Sequence, residues 1–119
     1  MTHLTYGIGG LHVQFPGWET QMVGRETFTA SEDSIRGANA EAGWSSEILG
    51  YRSGLVVSGF RKVGVFTHPA GLRRLVSMKR GLPLLRVAVD RHATGFDELM
   101  ISTPDAHAIA GAIHAAVTR

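Results

Sequence analysis

The chain has 119 residues, no cysteine, 44% hydrophobic and 18% charged residues, and a formal net charge of +2. A single domain of this size buries about two-thirds of its unfolded surface without disulfides or metals, and the lack of cysteine excludes a disulfide framework and a thiol nucleophile. There is no apolar run approaching about 18 residues and no basic, apolar, small-residue leader pattern at the amino end, so the expectation is a cytoplasmic protein.

In chain order, residues 1–10 are expected to be a flexible entry. Gly7-Ile8-Gly9-Gly10 resembles a nucleotide loop only superficially, because it lacks the lysine or third glycine, the preceding strand and the following helix that such loops need. Leu11-His12-Val13-Gln14-Phe15 alternates strictly and predicts a half-buried strand, closed by a turn at Pro16-Gly17. Weaker strands are predicted at 25–29 and 35–41, separated by Ser31-Glu32-Asp33-Ser34. Residues 42–57, with Trp44, Gly50, Tyr51 and Gly54, read as a long loop with partial strand character. Trp18 and Trp44 each neighbour glycine and acidic residues, and both are expected to be half-buried under loops.

Further strands are predicted at 60–66, 72–78, 84–90 and 98–102, with turns at His68-Pro69-Ala70-Gly71, Gly81-Leu82-Pro83 and Ala93-Thr94-Gly95. In the 84–90 strand Leu85, Val87 and Val89 share one face, and Arg86 and Asp90 the other. That makes about seven strands. The carboxyl end predicts a helix over about 104–118. Thr103 suits its cap, Pro104 its first position and Asp105 the positive end of its dipole. Ala106, Ile109, Ala110, Ile113 and Val117 form its apolar stripe, opposite His107, Gly111, His114 and Thr118.

Seven short strands followed by one terminal helix is the order of the pleckstrin-homology (PH) superfold. The sequence resembles its bacterial PH-like members at Leu11-His12-Val13-Gln14-Phe15-Pro16-Gly17-Trp18-Glu19, at Phe28-Thr29 with Ser34-Ile35, and at 59–66 and 97–113. The resemblance implies a mainly β fold, a bent antiparallel barrel spanning residues 11–119 and capped by the helix. It further implies a non-enzymatic interaction or assembly domain that binds a protein partner or itself, with no cofactor. PH domains that bind phosphoinositides typically place lysines and arginines on the first strand and the loop after it. Residues 11–22 hold neither, so that lipid site is not carried over to any residue here.

Charge is unevenly distributed. Residues 1–51 carry two basic side chains against six acidic ones, whereas residues 52–119 carry ten against four. Within 52–91 the balance reaches +8, with Asp90 the one acid. Arg52, Arg61, Lys62, Arg73, Arg74, Lys79 and Arg80 are therefore the candidate anion or partner surface. One arrangement, Arg61 and Lys62 beside Arg73 and Arg74, would serve the alternative reading: peripheral binding to an anionic membrane at its inner face. The plainer reading has these cations on outer strand faces, partly paired with the acids of the first half. Nucleic acid is not expected, since the predicted helix has no lysine or arginine before Arg119.

No catalytic constellation emerges. The six histidines include no H-x-x-x-H or H-E-x-x-H pair, and His107 and His114 stand about 10 Å apart along the helix. His12, His68 and His92 meet only if the tertiary structure brings them together. Val57-Ser58-Gly59 and Arg52-Ser53-Gly54 lack the first glycine of a nucleophile elbow. Asp97 and Glu98, adjacent in a strand, point to opposite faces. The expectation is no enzyme, no catalytic residue and no metal, with a small enzyme using a barrel pocket as the remaining alternative.

Overall fold

The computed structural model describes residues 2–7, 9–43, 51–57 and 61–117, with 51–57 described through their backbone. The first element is a strand, β1 (His3–Gly7), in a segment expected to be flexible. His3 and Thr5 face outward while Leu4 and Tyr6 are half-buried, a period of two that the glycine-rich stretch after it obscured. β1 pairs antiparallel with β2 (Gly10–Gln14) in a hairpin closed at Gly7 and Gly10. Gly10 has φ of 111°, and a Cβ there would lie 2.0 Å from the Ala30 carbonyl oxygen, so backbone packs against backbone at this corner.

Pro16-Gly17 opens a helix, α1 (Gly17–Val23), in place of the expected turn. Pro16 takes the N-cap in extended conformation, and Gly24 ends the helix at φ 79° with its N–H on the Thr20 carbonyl. Glu19 and Val23, four apart, are its buried pair. β3 (Thr27–Ala30) then completes a three-stranded sheet in the order β1-β2-β3. His12, Gln14, Thr27 and Thr29 lie on the exposed face, and Leu11, Val13, Phe28 and Ala30 on the buried one.

A 3-10 turn at Glu32–Ser34 leads into the second sheet. Its strands are β4 (Ile35–Glu41), β5 (Tyr51–Val57), β6 (Arg61–Thr67), β7 (Arg73–Lys79), β8 (Leu84–Val89) and β9 (Glu98–Ser102). The order is β4-β8-β9-β7-β6-β5, all neighbours antiparallel except β7 and β9, which run parallel. A short helix, α2 (Arg91–Thr94), joins β8 to β9, where Asp90 accepts the His92 N–H and Gly95 closes the turn at φ 83°. The expectation of about seven strands in one antiparallel barrel is therefore corrected. The described residues form nine strands in two sheets, and the strand counted as partial in 42–57 is complete over Tyr51–Val57.

The last element is α3 (Ala106–Val117), as expected from its stripe. Thr103 caps it through Oγ1, which accepts the Asp105 N–H at 3.2 Å. Ala106, Ile109, Ala110 and Ile113 are buried, while Val117 at the end of the stripe stays 43% exposed. The helix lies along β4 and β8 and touches β1, covering one face of the larger sheet and not plugging a closed barrel. Between it and the small sheet sits the main core, including Leu11, Phe28, Leu75, Leu85, Val87, Phe96, Leu99 and Ile101. On the opposite face of the larger sheet Phe66, Val76, Met78, Leu84 and Met100 form a second buried cluster. Among the described residues no helix is long and apolar enough to cross a membrane. Trp44 lies outside the described residues, as do the side chains of Trp18 and Arg52.

Two glycine replacements should move stability in opposite directions, as read from urea denaturation midpoints. Gly10→Ala is expected to destabilise by at least about 2 kcal/mol, since it adds a clash to a left-handed backbone. Gly111→Ala, on the exposed face of α3 with nothing within 4 Å of the new methyl, should stabilise by about 1 kcal/mol.

Candidate functional site

The most enclosed polar group is Glu19, whose side chain is 0% exposed. An ionised carboxylate at that depth needs donors, because no water replaces them. Donors come from two segments and a counter-charge from a third, while Oε2 itself accepts no hydrogen bond from the described residues. Thr2 donates its hydroxyl to Oε1 at 2.8 Å, Ser77 of β7 donates to the same oxygen at 2.5 Å, and the two hydroxyl oxygens are 2.9 Å apart. Arg61 of β6 brings Nη2 to 3.2 Å from Oε2, with its own side chain 11% exposed. This arrangement fixes α1 and the amino terminus on the core face of β6 and β7. Nothing in the sequence marked Glu19 for this role, since its segment reads as a turn.

A second polar group spans the opposite face of the sheet. Glu98 of β9 accepts from Arg74 Nε at 3.0 Å and from Arg86 Nη1 at 2.9 Å, both on Oε1. Arg86 reaches on to Glu41 of β4 at 3.2 Å. Arg74 and Glu98 are direct partners in the parallel register, so four adjacent strands carry one alternating chain of charge beside the second apolar cluster. Asp97, one residue earlier, points the other way and accepts the Arg73 backbone N–H at 2.8 Å, as the adjacent carboxylates predict.

Of the seven basic candidates, Arg61, Lys62, Arg73, Arg74 and Lys79 lie at the ends of β6 and β7, while Arg52 lies in β5 and Arg80 in the turn after β7. Arg61 pairs in register with Lys79 and Lys62 with Met78, whereas Arg73 pairs with Thr67 and Arg74 with Phe66. Arg61 and Lys62 are thus about 20 Å along the strands from Arg73 and Arg74, so these two pairs do not lie side by side. Antiparallel pairing places the start of one strand beside the end of the next. Arg80 is exposed in the turn beyond Lys79. Arg61 and Arg74 are held by Glu19 and Glu98, so two of the seven contribute their charge to internal pairs.

Shallow grooves of about 300–410 Å³ mark the surface. One is lined by His3, Thr5, His12, Gln14, Thr27 and Thr29 on the small sheet, where His12 Nδ1 lies 3.2 Å from Thr29 Oγ1. Another lies between Glu32, Asp33 and the end of α3. Among the described residues, no group of three or more histidines or carboxylates is placed to hold a metal ion. Comparison with protein-family models, with curated proteins and with solved structures gave no match.

Removing Glu19 should be far costlier than removing an acid at the rim. In urea denaturation Glu19→Ala is expected to cost about 3–5 kcal/mol, because Arg61 is left without its counter-ion. Glu41→Ala should cost about 1 kcal/mol or less, its side chain being 38% exposed. The double variant Glu19→Met/Arg61→Met should recover most of the loss, as Thr2 and Ser77 can then bond to each other. A cost below about 1 kcal/mol for Glu19→Ala would show that the pair does not hold α1 in place.

Proposed function

We propose that the chain is a non-enzymatic, PH-like interaction or assembly domain that associates with a second copy of itself. The observation that carries this reading is the edge at β5. Among the described residues β5 is hydrogen-bonded on one side only, to β6, so alternate residues of this seven-residue strand present backbone donors and acceptors to an incoming strand. The other edge of the sheet, β4, likewise pairs on one side only, with β8; α3 packs over β4 and the short α1 over β5. Two β5 strands meeting antiparallel about a two-fold axis form an isologous contact, the commonest way a small domain dimerises.

One further feature supports the non-catalytic part of the reading: Glu19, Ser77, Arg61, Arg74, Arg86 and Glu98, the buried and half-buried polar side chains of the two networks, are engaged with one another across elements. The PH-like assignment is supported by a strand-rich chain ending in one helix that lies against the sheet. The parallel β7–β9 pair and the β5 edge depart from the antiparallel barrel that the resemblance implies.

Light scattering over micromolar to millimolar concentration should show a particle rising from 12.8 kDa to twice that mass. Hydrogen exchange should show amides 51–57 gaining protection over the same range. A constant monomer mass with concentration-independent exchange at 51–57 would sink the proposal.

A further inference from the structure

We propose that Arg25 and Arg73, both stacked on Phe96, form a recognition site for a carboxylate-bearing segment of a partner protein. The inference rests on the reading of the chain as an interaction domain and names the chemistry of one partner. Arg25 precedes β3, Arg73 opens β7 and Phe96 precedes β9, so three distant parts of the chain build the site. The Arg25 guanidinium carbon lies 5.2 Å from the Phe96 ring centroid and 5.5 Å from that of Phe28. That of Arg73 lies 5.1 Å from Phe96. The two rings meet edge to face, 5.5 Å apart at 71°, and both are buried.

What distinguishes these two arginines is the lack of an acid. Among the described residues neither guanidinium has a carboxylate within ion-pair distance, whereas Arg36, Arg61, Arg74, Arg86 and Arg91 each have one within 3.5 Å. Arg73 donates Nη1 to the Gly95 carbonyl at 3.2 Å, and Arg25 is exposed. A guanidinium over a ring face is held through its charge and keeps N–H donors that can meet a carboxylate. The ring also holds each side chain in place, so less rotamer freedom is lost when an anion arrives.

The surroundings favour discrete carboxylates over a charged sheet of lipid. Asp97 is held beside Arg73 by the Arg73 backbone N–H and by Arg91, and exposed Glu26 follows Arg25 directly. A continuous anionic bilayer meets those acids together with the arginines, whereas a peptide places its carboxylates between them. Leu72, 43% exposed and adjacent to Arg73, supplies an apolar neighbour for the same segment.

The test is fluorescence anisotropy of a labelled hexa-aspartate peptide titrated with the whole chain at low salt, in parallel with phosphatidylserine vesicles. The peptide should bind, and Arg25→Gln and Arg73→Gln should each weaken it about tenfold. Arg36→Gln, which removes the same charge from a 61%-exposed arginine already facing Asp90, should change it less than about twofold. Arg73→Lys should resemble Arg73→Gln, because lysine keeps the charge and loses the planar stack. Equal weakening by Arg36→Gln, no peptide binding, or binding to vesicles alone would each overturn the proposal. Should Arg73→Gln fail to fold, Arg25→Gln on the exposed side decides it. Concentration-dependent dimerisation without peptide binding would remove this site and leave the interaction reading standing.

Discussion

A carboxylate that has lost all contact with water must find its partners inside the protein, and Glu19 finds hydroxyl donors on Thr2 and Ser77 and a counter-charge on Arg61. Those residues belong to the amino terminus, β7 and β6, so one buried charge couples four segments that hydrophobic contact alone leaves loosely related. α1 has only seven residues, too few to be helical by propensity. Its helicity depends on Val23 and Glu19 being seated together on the sheet. The same contact sets the position of β1, and with it the small sheet that closes the main core. The pair acts as specification as much as stabilisation, since a hydrophobic replacement of similar volume fills the space without choosing these partners.

The larger sheet explains why a stretch with charge +8 does not become a uniformly basic surface. Its inner strands β7 and β9 are apolar on both faces, as a parallel pair in the middle of a sheet requires. Leu75, Leu99 and Ile101 face the main core, and Val76, Met78 and Met100 the second cluster. Charges at the border of such a cluster must be paired if their stems are to cover apolar surface while their heads stay solvated or bonded. Arg74, Glu98, Arg86 and Glu41 meet that condition by alternating in sign across β7, β9, β8 and β4. The positive charge counted along the chain is thereby divided between opposite faces and opposite strand ends.

The parts legible in the sequence were those in which side-chain period and end signals agree. Residues 35–41, 84–89 and 98–102 alternate or run apolar between turns, and 106–117 carries cap, dipole complement and stripe together. α1 was hidden because the partners of its buried Glu19 come from far along the chain. β1 was hidden because a strand beside three glycines in four residues resembles a linker. The pairing of β7 with β9 in parallel left no local trace, since periodicity reports which face a residue takes and not which strand lies beside it. The misplaced basic surface has the same origin: Arg61-Lys62 and Arg73-Arg74 each open a strand, but the hairpin reverses direction between them.

The register also connects the two surfaces assigned to binding. Tyr51 at the start of β5 pairs with Thr67 of β6, and Thr67 pairs with Arg73 of β7. The arginine stacked on Phe96 therefore stands two strands, about 10 Å, in from the open edge. A segment that adds its backbone to β5 at the Tyr51 end thus has its flanking residues within side-chain reach of Arg73. Backbone pairing at an edge provides affinity with little sequence preference, whereas a guanidinium held over a ring selects for a carboxylate at one position. The two devices are complementary in what each lacks. Asp97 and Glu98, which follow Phe96 in the chain, already accept from Arg91, Arg74 and Arg86, so on the proposal above it is the partner segment that supplies the acid for Arg25 and Arg73.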